Sequence, residues 1–137
     1  MFLSERLQRL RDDFAMFDDP HERLTAVIDR ARKIPPLPPA DRTDTHRVHG
    51  CVSVVWLVRE RRGPDCHFRG DAESPLVRGL VVFLCDFFTG APAAEIASTD
   101  LDPLAELGLT KHLSPTRQNG LAAVRAAIRA CAQTPTV

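Results

Sequence analysis

The chain has 137 residues, with 18 basic and 18 acidic side chains and no formal net charge. That length suits a single domain over residues 1–137, large enough to need no disulfide or metal staple. The charge balance gives no bulk attraction to nucleic acid or to an anionic membrane, and 44% apolar with 26% charged residues excludes global disorder.

Leu3, Leu7, Leu10, Phe14 and Phe17 recur at helical spacing and predict an amphipathic first helix. The N-terminal "MFLSERLQRLRDD" has no long apolar core, so it does not read as a signal peptide. The longest apolar run, "LVVFLCDFF", is too short to span a bilayer. The expected location is cytoplasmic. Asp19 and Pro20 then open a second helix with an apolar stripe of Leu24, Val27, Ile28 and Ala31. "IPPLPPADR" ends it, because prolines cannot continue a helix and favour extended chain.

From Val52 the pattern turns to period two, which predicts a strand covered on both sides or nearly so. "RERRGPD" reads as a polar turn and "CHFRG" as a short second strand; "THRVHG" is a candidate third. Ser74 and Pro75 open a third helix whose buried face is Val77, Leu80, Val81, Leu84 and Phe88, stopped by Gly90. Asp102–Pro103 opens a short helix that Gly108 ends. Ser114–Pro115 opens the last, with Leu121, Val124, Ile128 and Cys131 inward. Helices segregated from a small sheet make an α+β pattern. The expected architecture is a small antiparallel sheet of about three strands packed with N- and C-terminal helices.

Sixteen of the eighteen basic residues are arginine, a bias that genome composition can produce. The four cysteines, at 51, 66, 85 and 131, make no CxxC pair and read as reduced thiols. Cys85 and Cys131 fall on inward helix faces, and Cys66 alternates with Phe68 on a strand, so all three suit core packing. Cys51 differs. It follows Gly50 at the junction of a loop and a strand, with Arg47 and His49 able to stabilise a thiolate. Local sequence leaves two readings open, a small core residue and a reactive thiol. His46, His49 and Cys51, with Cys66–His67, also offer a zinc-type donor set, although the spacing matches no familiar zinc knuckle. A thiol hydrolase would need a base and an oxyanion hole, and neither can be located in the sequence.

Three blocks, "HGCVSVVWL" (49–57), "FRGDAESPLVRGLVVFL" (68–84) and "LTKHLSPTRQNGLAAVRAAIRA" (109–130), together resemble one family. They are similar to the SufE-like proteins, sulfur acceptors that partner cysteine desulfurases in iron–sulfur cluster assembly. The likeness runs over roughly residues 3 to 131, including the helical start and "IPPLP". It implies an α+β fold related to the NifU-type scaffold proteins. It implies that Cys51 is the persulfide-carrying nucleophile, within a motif that also contains Gly50, Ser53 and Trp56. Asp71 of the "GD" motif and Arg117 at the opening of the last helix are implied neighbours of the active loop or partner surface. The family often carries polar residues where this chain has Val52 and Val54.

The implied partners are a SufS- or CsdA-type cysteine desulfurase, which keeps the pyridoxal phosphate, and a SufBCD-type scaffold complex. No cofactor or metal is implied in this chain itself. The implied reaction is transpersulfidation, a sulfur exchange in which the protein is a carrier and activator of the desulfurase. The rival reading is a non-catalytic zinc-binding or scaffold-type interaction module.

Overall fold

The computed structural model describes residues 2–50 and 53–133. In chain order it contains α1 (Phe2–Phe14), α2 (Pro20–Arg32), a 3-10 turn (Asp44–His46), β1 (Val55–Arg62), β2 (Asp65–Ala72), α3 (Pro75–Phe88), α4 (Ala93–Ser98), α5 (Pro103–Glu106) and α6 (Pro115–Gln133). This is the expected α+β architecture.

All four Asp-Pro and Ser-Pro signals start helices, and each acidic or hydroxyl side chain caps its own. Asp19 accepts from the His21 N–H at 2.9 Å and Asp102 from Leu104 at 3.1 Å. Ser74 accepts from Val77 at 3.5 Å and Ser114 from Arg117 at 3.3 Å. Such a cap satisfies a backbone donor the helix cannot, worth about 1 kcal/mol. Leu3, Leu7 and Phe14 of α1 are buried, as are Val27 and Ala31 of α2. Gly90 and Gly108 follow α3 and α5 with positive φ.

The central element is α3. Ten of its fourteen residues are buried, so it is wrapped nearly all round. It packs on β2, α2, α6, α5 and α1. The two strands form an antiparallel hairpin in the register Val55↔Ala72 to Arg62↔Asp65. Val55, Leu57, Cys66, Phe68 and Ala72 are buried on its inner face.

The hairpin is longer than its sequence suggests. Arg59 to Arg62 continue the strand, and the turn is only Gly63–Pro64. Charged side chains are tolerated there because this end of the hairpin is largely solvent-facing, while backbone pairing with β2 holds the extended form. The candidate third strand reduces to a single bridge between Arg47 and Trp56, and the described sheet is two-stranded. Residues 44–46 coil into the 3-10 turn, and Gly50 (φ +95°) turns the chain away again. The intervening stretch is too short to build a ladder.

The far edge of β2 is covered by residues 89–91. Cys66 N donates to Ala91 O at 3.1 Å, Gly90 N to Cys66 O at 2.8 Å, and Phe68 N to Thr89 Oγ1 at 2.9 Å. Pairing of this kind prevents strand addition at that stretch. The next helix, α4, has no counterpart in the sequence reading. Its Glu95 accepts from Leu3 N at 2.8 Å and so ties the start of α1 to the fold.

Several arginines have structural work beyond composition. Arg6 Nη1 donates to the carbonyls of Asp86, Phe87 and Thr89 at 2.8–2.9 Å, closing the C-terminal end of α3. Arg23 reaches Phe17 O at 2.8 Å and Leu107 O at 3.0 Å. A guanidinium carries five donors in a rigid fork, which lets it serve several carbonyls at once.

Candidate functional site

The candidate site lies where the segment before β1 passes the first turns of α6. Both flanks of that segment are fixed. Val48 is buried, and its N–H donates to Val55 O at 2.9 Å. On the other flank Glu73 N donates to Val54 O at 3.1 Å. Gly50 sits against α6, where a methyl group would touch Ala123 Cβ at 3.5 Å. Its φ of +95° is a conformation that only glycine adopts without strain.

Ser53, Val55, Val77, Thr116, Arg117, Gly120, Leu121 and Val124 line one small cleft of about 30 Å³ between β1, α3 and α6. The lining is mostly apolar, with Ser53, Thr116 and the exposed Arg117 as its polar and charged members. Ser53 and Arg117, distant in sequence, are thus brought together. Arg117 is held by its backbone, because its N–H is part of the Ser114 cap that starts α6.

Arg47 and His49 are exposed. Trp56 is half-buried, with the Arg42 guanidinium 6.0 Å from its ring centroid. Trp56 pairs across the hairpin with Asp71 on one side and bridges Arg47 on the other. Cys51 and Val52 lie outside the described residues.

Asp71 is buried and makes interior bonds. Its carboxylate accepts from Arg78 Nε at 2.9 Å, from Leu37 N at 3.0 Å and from Ala72 N at 2.8 Å. Arg78 then donates to Ala31 O at 2.6 Å and Ile34 O at 2.8 Å. The "GD" aspartate therefore positions the proline segment and the hairpin end next to the site, instead of standing on an open surface. Arg78 was not singled out by sequence reasoning, although it stands inside the quoted "VRGL". Arg42, over Trp56, was missed as well and carries no sequence signal.

The three described thiols are buried. Burial pushes the Cys66 thiol up to about 11, with the neighbouring Cys131 adding to the effect. Burial, then Asp86, raises Cys85 further. Thiols held protonated are poor nucleophiles at neutral pH. Among the described residues no three His, Cys, Asp or Glu side chains come together to hold a metal. Cys66 and His67 point to opposite faces of β2, which separates two of the donors a zinc site would have used.

Comparison with known proteins agrees with this architecture. Residues 8–132 match the family described as "SufE: Fe-S metabolism associated domain". An uncharacterized SufE-like protein of Rhizobium meliloti is 39% identical over 120 residues, covering 84% of this chain and 86% of the relative. One of Rhizobium etli is 38% identical over 128 residues, covering 90% and 86%. The solution structure of a hypothetical protein from Thermus thermophilus superposes with a TM-score of 0.74 at 20% identity, over 93% of each chain. That last likeness shows the fold. No helix among the described residues is long and apolar enough to cross a membrane.

Proposed function

The chain belongs to the SufE family of iron–sulfur metabolism, and on that premise we propose that it is a sulfur acceptor whose carrier residue is Cys51. The donor is a pyridoxal-phosphate cysteine desulfurase of the SufS or CsdA type. The recipient is an iron–sulfur scaffold complex of the SufBCD type, and the setting is the cytoplasm.

The step is sulfur exchange. The Cys51 thiolate attacks the outer sulfur of the desulfurase persulfide. A new S–S bond forms on Cys51, the donor's S–S bond breaks, and its electron pair leaves on the donor cysteine as a thiolate. Nothing is oxidised or reduced overall. Arg47 and Arg117 supply positive potential that favours the attacking thiolate, and His49 supplies a polar ring beside the loop. Gly50 lets the loop turn without strain, and Ser53, Trp56 and the Asp71–Arg78 pair fix the frame on which the loop is mounted.

The observation that carries this reading is the pairing of Ser53 and Arg117 around one apolar cleft. A persulfide must be reachable by two partners and yet shielded from oxidants and reductants between them. A loop next to an apolar cleft offers both conditions. Docking on the desulfurase would present Cys51 to the partner's persulfide and stimulate its turnover.

Mass spectrometry after incubation with desulfurase and cysteine tests the assignment. One added sulfur is expected, on the peptide containing Cys51. Equal labelling of the Cys51→Ser protein would show the assignment to be wrong. Hydrogen exchange across residues 48–53, with and without desulfurase, tests the docking; unchanged protection counts against it.

A further inference from the structure

Alternate residues of β2 turn their backbone groups to opposite edges. The bond from Glu73 N to Val54 O runs between the strands, and in the same register Asp71 and Arg69 face Trp56 and Val58. Cys66, Phe68 and Gly70 therefore point their N–H and C=O groups away from β1. At Cys66 and Phe68 these groups are taken up by residues 89–91. At Gly70 that cover has ended. Its N–H and C=O make no hydrogen bond among the described residues, and the residue is half-buried. Beside it lies a cleft of about 400 Å³, within the size range of ligand sites. The cleft is lined by Pro35, Leu37 and Pro38, by Val82 and Cys85 of α3, and by Gly70 itself. The prolines bring no N–H of their own to compete for the open C=O. A Cβ at position 70 would stand 2.6 Å from Val81 Cγ1 and 2.8 Å from Cys85 Sγ, so this part of β2 lies close on α3 without a side chain. Two charged residues complete the lining, Arg69 and Asp86. Arg69 is already paired with Asp41 at 3.2 Å. The Asp86 carboxylate makes no ion pair among the described residues; burial pushes its carboxyl up, opposed by Arg30 and Arg6 in a neighbouring cleft.

We propose that this cleft is a docking slot for an extended peptide of a partner protein, apolar with one basic side chain, which adds to β2 at Gly70. The peptide donates an N–H to the Gly70 C=O and accepts from the Gly70 N–H through its own C=O. An apolar side chain packs on Leu37 and Val82, and a lysine or arginine reaches Asp86. A donor and an acceptor left open side by side on a strand edge are matched by another backbone; an apolar guest without an amide would leave both unmet. The charges point the same way, since the one cation of the lining is neutralised by Asp41 and the one carboxylate is not paired. The slot shares no lining residue with the cleft of Ser53 and Arg117, so it is independent of the sulfur-acceptor reading.

The test uses the full, unsubstituted chain, isotope-labelled for NMR. The probes are capped pentapeptides of alternating valine and threonine, with a single lysine moved through every position. At millimolar peptide, members of the set should shift the Gly70 amide resonance together with those of Arg69 and Val82. Glutamate in place of the lysine should weaken binding by about tenfold, and Asp86→Asn should remove that difference. Methylation of the peptide's backbone nitrogens should abolish the Gly70 shift. Binding that survives methylation would reduce the slot to an apolar cleft and overturn the proposal. A set that leaves Gly70 unshifted, or lysine and glutamate forms that bind alike, would overturn it too. The comparison of peptides on the unsubstituted chain decides the matter even where the variant fails to fold.

Discussion

Arg78 and Asp71 meet inside the protein, Nε to Oδ1 at 2.9 Å, with side chains only 17% and 5% exposed. Each then reaches the segment 31–37, Arg78 through the Ala31 and Ile34 carbonyls and Asp71 through the Leu37 amide. Three stretches of chain depend on this one ion pair: the end of α2 with the prolines after it, the end of β2, and the start of α3. Removing one partner leaves the other charged and buried. Arg78→Ala or Asp71→Ala should cost about 3 kcal/mol, measured by urea denaturation. A loss below about 0.5 kcal/mol, ordinary for a surface substitution, would show that the pair is not holding the segment.

Gly50 turns the loop at φ +95° beside Ala123. Gly50→Ala should destabilise the fold by about 1 kcal/mol through backbone strain, since the methyl group itself meets only an ordinary contact at 3.5 Å. On the proposed mechanism it should also slow sulfur uptake from a desulfurase. Unchanged stability and uptake would mean that the loop does not need this conformation.

Arg117 is exposed, and its backbone does the capping work, so Arg117→Ala should leave stability within about 0.5 kcal/mol. Persulfide transfer to Cys51 should nevertheless fall, by about tenfold if one charge contact at the partner surface is lost. Arg117→Lys should recover part of it. Equal transfer by all three proteins would remove Arg117 from the site.

Cys66, fully enclosed in the fold, keeps its proton up to about pH 11, against an ordinary value of 9.0. Between those two values the native state holds a proton that the unfolded chain has released. Stability from this group is therefore complete below pH 9 and is lost as the pH rises towards 11, by about 2 kcal/mol. Urea titrations under reducing conditions should show the decline, and Cys66→Ala should flatten it. Parallel curves for the two proteins would count against the cause given.

Helix starts were legible because aspartate or serine before proline is both a cap and a fixed φ, and all four such pairs behave that way. The helix α4 was not, because Pro92 offers no side-chain cap and six residues give too little periodicity. Arg59 to Arg62 resembled a turn, since a strand exposed at its end has no apolar alternation to display. At the site, Ser53 and Arg117 were picked out by family resemblance, but the cleft that joins them is a product of packing between β1, α3 and α6. Asp71 was picked out for the site's surroundings and proves to be interior. Its meaning lay in Arg78, seven residues on and in another element, where sequence alone shows no partnership.

The hairpin also gives the molecule a handle. Eight paired positions separate the end that carries the candidate site from the Gly63–Pro64 tip, a span of about 26 Å. Both tip residues are exposed, and neither touches the cleft. A dye, a spin label or a surface tether attached there would leave the opposite end facing solution. Binding of a desulfurase could then be followed on immobilised protein without blocking the surface under study.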